Sequence, residues 1–104
     1  MQINLYATFR LVVGEKKIVV DLPDGSTIME VIQAAVKFHP VLKKHWFDRD
    51  NELHAHVHVF YNGTEAVTLP QGFATPMKNN EILDLFPPVS GGNLMGVDDP
   101  VQSG

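Results

Sequence analysis

From Ile3 to Phe9 the chain alternates: Ile3, Leu5, Ala7 and Phe9 are apolar, while Asn4, Tyr6, Thr8 and Arg10 lie between them. A period of two predicts a half-buried strand. Val13-Gly14-Glu15-Lys16 reads as a turn and Lys17 to Leu22 as a returning strand, so an N-terminal hairpin is expected. Pro23-Asp24-Gly25 breaks it. The period then changes. Ile28, Val31, Ile32 and Ala35 recur at helical spacing behind Thr27 and Glu30, a capping-box pair whose side chains satisfy free N–H groups at a helix start. Pro40 marks the end of that helix, because its ring and missing N–H do not fit a continuing turn. His39 at that end fits the helix dipole, and His45 carries no assigned role. Leu42 to Trp46 predicts a further short turn anchored by Trp46 and Phe47, ahead of a polar loop from Asp48 to Glu52.

Leu53 to Tyr61 alternates most cleanly and predicts a central strand, with Leu53, Ala55, Val57, Val59 and Tyr61 on one face and His54, His56, His58 and Phe60 on the other. Asn62-Gly63 is a hairpin-turn pair. A short strand around Glu65 to Thr68 follows, then a loop through Pro70, Gly72 and Pro76. Asn79-Asn80 turns the chain into a last strand, Glu81 to Phe86. The predicted order is β-β-α-β-β-β, an α+β domain with one mixed sheet packed on one main helix.

Composition narrows the chemistry. The 104 residues suit one domain with one core. A net charge of −4 supplies no basic footprint for nucleic acid. There is no cysteine, which excludes disulfides, thiolate metal sites and a Cys nucleophile. Neither a secretory signal nor a membrane-length apolar run is visible, and a cytoplasmic location is the expectation. No Ser-His-Asp set, phosphate loop or carboxylate pair suggests an enzyme.

Two stretches, "VFYNGTEAV" at 59–67 and "GFATPMKNNEILDLFPPVSGG" at 72–92, make the chain similar to the β-grasp (ubiquitin-like) sulfur carriers of the MoaD/ThiS type. The chain resembles the small subunit of molybdopterin synthase, and the carrier of cysteine biosynthesis also looks similar. The resemblance covers residues 1–92 and leaves 93–104 as an extension. Asn79-Asn80-Glu81 stands where the family often has Asp-Gly-Asp, which preserves turn chemistry. The family's active form ends at the second glycine, and this chain continues past it.

The resemblance implies a substrate protein, a sulfur carrier without catalytic residues of its own. Gly92, after removal of 93–104, would be adenylated by an E1-like activating enzyme and converted to a thiocarboxylate. It binds no cofactor tightly; the ATP is the partner's. The sulfur would pass to a synthase subunit, MoaE-like or cysteine synthase-like, and a zinc metallopeptidase would make the cut after Gly92. Gly91 and Gly92 suit this work because glycine permits backbone approach that other side chains block. Pro87 and Pro88, followed by Val89 and Ser90, end sheet pairing and project the tail outward. Tyr6, Phe60 and Phe86 on the open sheet face are candidates for partner docking. The competing reading is a ubiquitin-like binding module that is never activated, its tail a tether.

His54, His56 and His58 are the candidates for a metal. On one strand the first and third would stand about 13 Å apart by strand rise, too far for one ion. A solvent-facing row without metal is the expectation, and an i, i+2 pair with a further ligand from elsewhere is the alternative.

Overall fold

Ile3 and Leu5 are fully buried and Gln2 and Asn4 half-buried, the alternation of strand β1 (Gln2–Leu5). The computed structural model describes residues 1–88. β1 pairs antiparallel with β2 (Lys17–Val19), as expected of the hairpin. The two strands are shorter than the alternation suggests. At Tyr6 the chain leaves the sheet, Ala7 takes a positive φ of 51°, and a helix, α1 (Thr8–Val13), fills the connection. A helical period was present beneath the alternation: Phe9, Val12 and Val13 are the residues of this segment that pack on the core. Gly14, at φ 85°, ends α1 in the left-handed conformation that glycine adopts without a Cβ clash.

Helix α2 (Ile28–Phe38) forms as its sequence predicts. Thr27 Oγ1 accepts from the Glu30 N–H at 3.1 Å, and Glu30 Oε1 accepts from the Thr27 N–H at 2.8 Å. Ile28, Val31, Ile32 and Ala35 are its buried face, and His39 is its C-cap just before Pro40. A 3₁₀ turn at Pro40–Leu42 leads into α3 (Lys43–Trp46). Trp46 is wholly buried and meets Phe9 edge-on, with ring centroids 5.7 Å apart.

The predicted strand from Leu53 is a correction. Leu53 makes an isolated bridge with Phe47, residues 54–57 turn (the Val57 N–H donates to the His54 carbonyl), and β3 is only His58–Tyr61. The neighbour explains the length. β3 lies antiparallel to β5 (Ile82–Phe86), with His58 opposite Phe86, so further pairing would fall on Pro87 and Pro88, which have no N–H to donate. Asn62 and Gly63, at φ 52° and 79°, make the tight turn into β4 (Thr64–Glu65). The expected strand over 65–68 gives way at Ala66 to a 3₁₀ turn that buries that residue.

The strands lie in the order β2-β1-β5-β3-β4, with β1 and β5 parallel and the other pairs antiparallel. Ile3, Leu5, Val59, Leu83 and Leu85 point from one face into a core that also holds the buried face of α2. This mixed sheet on one main helix is the β-grasp architecture.

One polar contact ties β3 to the start of β5. Tyr61 Oη donates to Glu81 Oε1 at 2.7 Å, and the Lys78 N–H donates to the same oxygen at 2.8 Å. The tyrosine bond, then the amide bond, holds the Glu81 carboxyl below its ordinary range. A depressed carboxylate pKa contributes stability that is present above the unfolded value, about 4.3, and is lost as pH falls through the folded value. Tyr61→Phe is therefore expected to raise the Glu81 pKa and to flatten the acid side of the stability profile. NMR titration of the Glu81 carboxyl carbon checks it; an unmoved midpoint would mean that the amide alone sets the shift.

Candidate functional site

β5 is the middle strand of five, so the chain heads toward its C-terminus from the centre of the sheet. Its ladders close at Leu85 beside Leu5 and at Phe86 opposite His58. Pro87 is half-buried and Pro88 exposed, and neither can extend the pairing. Val89, Ser90, Gly91, Gly92 and the extension 93–104 lie outside the described residues.

Where β5 ends, the fold gathers the three aromatics expected on the open face. Tyr6 stacks on Phe86 with centroids 4.3 Å apart and planes 12° from parallel, and Phe60 meets Phe86 edge-on at 5.6 Å. Each is half-buried. Offset stacks and edge contacts suit the ring quadrupole, so the trio forms a shaped apolar surface. The Arg10 guanidinium stands 5.8 Å from the Tyr6 ring centroid, extending the surface with a cation.

Polar groups fix this surface. Asp84 Oδ1 accepts from Tyr6 Oη at 2.8 Å and from Asn4 Nδ2 at 3.0 Å, while Gln2 Nε2 donates to Asn4 Oδ1 at 2.7 Å. The bond to Asp84, followed by desolvation, pushes the Tyr6 hydroxyl pKa up, so the tyrosine remains a protonated donor. Sequence reading missed Asp84. The signal was its place between Leu83 and Leu85, which turns it outward, but its partners come from the parallel pairing of Asn4 with Asp84. Beside the trio, His58 Nδ1 lies 2.9 Å from Glu65 Oε2.

The histidine row does not exist as a strand face. His54 and His56 lie in the turn before β3 with rings stacked 5.5 Å apart, while His58 faces Glu65 from β3. Among the described residues no three His, Cys, Asp or Glu side chains are grouped as metal ligands. Nor, among them, is any helix long and apolar enough to cross a membrane.

Known proteins match this chain over nearly the whole domain. A model of the ThiS family matches residues 3–92. Small archaeal modifier protein 3 of Haloferax volcanii is 35% identical over 92 residues, covering 88% of this chain and 98% of that protein. Small archaeal modifier protein 1 of the same organism is 37% identical over 92 residues, covering 88% of this chain and all of that protein. The crystal structure of SAMP1 from Haloferax volcanii superposes with a TM-score of 0.80 at 34% identity, covering 88% of this chain and 98% of that one. The resemblance read from "VFYNGTEAV" and the run to Gly92 is thereby borne out, as is the ubiquitin-like fold. The chain belongs to the ThiS family.

Proposed function

We propose that this protein is a ubiquitin-like sulfur carrier whose working terminus is Gly92. The observation that carries the reading is that the family match ends at Gly92, leaving the last twelve residues outside it. A metallopeptidase cut between Gly92 and Asn93 frees the glycine carboxylate. One carboxylate oxygen attacks the α-phosphorus of ATP in an E1-like enzyme and pyrophosphate leaves. A sulfur nucleophile then attacks the acyl carbon and AMP leaves, which leads to a thiocarboxylate. Adenylation converts a poor leaving group into a good one, and the partner supplies the catalysis. The Tyr6–Phe60–Phe86 surface lies beside the strand that leads to the tail, and it supports docking that would fix where the tail enters the partner.

The same activated carbonyl has a second destination. Two relatives are named small archaeal modifier proteins. An amine in place of sulfur would attach this chain to a target through an amide bond. Sulfur delivered to a synthase subunit, in molybdenum or tungsten cofactor formation or in cysteine formation, is the destination that the carrier reading favours.

The test uses a chain ending at Gly92, its activating enzyme, ATP and a sulfide source. The expected product gains the mass of one sulfur in exchange for one oxygen, and the 104-residue chain gains nothing. Activation of neither length would support the unactivated binding module instead, and equal activation of both would mean that Gly92 is not the working terminus.

A further inference from the structure

Beside α3 the surface opens into a groove of about 720 Å³. Pro40, Val41 and Phe47 form its apolar wall, and Lys43, Lys44 and Arg49 line it with charge. Three of the eight Lys and Arg residues thus meet here, in a chain whose net charge is −4. One carboxylate, Asp48, also lines the groove, but its Oδ1 already accepts from the backbone N–H groups of Asp50 and Glu52 at 2.8 and 3.0 Å. Val41 is 43% exposed and Pro40 is exposed, so the fold leaves that part of the apolar wall uncovered, while Phe47 is largely buried behind it.

The sequence supplies an occupant. Residues 93–104 read NLMGVDDPVQSG: Leu94, Met95 and Val97, then the acidic pair Asp98-Asp99. We propose that this extension seats in the groove, its apolar residues against Pro40, Val41 and Phe47 and its acidic pair against Lys43, Lys44 and Arg49.

The reach is sufficient. His54 lines the groove and precedes by four residues His58, which lies opposite Phe86. Four residues span at most about 14 Å, whereas the ten from 89 to 98 span up to about 33 Å. Exposed ion pairs are individually weak. A segment tethered by a short linker, however, meets its seat at an effective concentration on the order of millimolar, so modest contacts hold it. A seated extension would anchor the chain on both sides of Gly91-Gly92, and cutting after Gly92 would release one anchor.

The chain has no cysteine, so Ser103→Cys places one spin label on the full-length protein. The expected result is loss of amide signal intensity at Val41, Lys43, Lys44 and Phe47, with Val19 on β2 unaffected. Asp98→Lys with Asp99→Lys should abolish that loss. Adding Lys43→Glu and Lys44→Glu, both at exposed positions, should restore it. Uniform intensities, loss confined to residues near Pro88, or a charge swap that restores nothing would overturn the seat. So would a loss that grows with protein concentration, which would place the extension on a second copy.

Discussion

Gly92→Phe, in a chain that ends at that residue, is expected to abolish activation while leaving the fold intact. Under the proposed function the reacting carbon would have to reach a nucleotide inside another protein, and the docked body would fix where the tail enters. A bulky side chain at the last position would crowd that path and displace the carboxylate from the phosphorus. Misplacement by about 1 Å can cost about 10²-fold in rate, because the proximity advantage depends on near-contact geometry. Pyrophosphate release by the activating enzyme measures the effect. The body has its own core, which among the described residues runs from Met1 to Leu85. A variant that still releases pyrophosphate and gains sulfur would reduce Gly91-Gly92 to a hinge.

Val59→Asp is expected to bring the domain to the edge of unfolding. Val59 is 2% exposed and lies opposite Leu85 on the core face of β3. An uncompensated buried charge costs about 3–5 kcal/mol, against a total stability of about 5–15 kcal/mol for a domain. His56→Asp, three residues upstream at an exposed position, should change stability by no more than about 0.5 kcal/mol. Urea midpoints compare them. Similar losses would mean that the His56 side of the turn is packed.

The two substitutions also mark how far the sequence could be read. Where local chemistry decides, it was legible: the Thr27–Glu30 box set the start of α2, Asn62-Gly63 set its turn, and β5 was expected within one residue of its observed start. Where a neighbour decides, it was not. The alternation over 53–61 is real, yet only the four residues facing pairable backbone in β5 became strand. The segment after β1 satisfied both periods, and burial of Phe9 against Trp46 settled it as helix. Tyr6, Phe60 and Phe86 could be placed on an open face from alternation. Their stacking, and its attachment to Asp84, required the strand order. The histidine row failed for the same reason as the long strand, since its spacing carried meaning only if residues 54–58 were extended.

The burial of Trp46 has an optical consequence. It is the chain's one tryptophan, it is fully shielded, and its indole N–H has no hydrogen-bond partner among the described residues. An indole in such apolar surroundings emits toward the blue and shifts red when water reaches it. Fluorescence of the native protein therefore reads the integrity of the core at a single point. The aromatic trio at the end of β5 contributes no indole, so this signal belongs to the core alone.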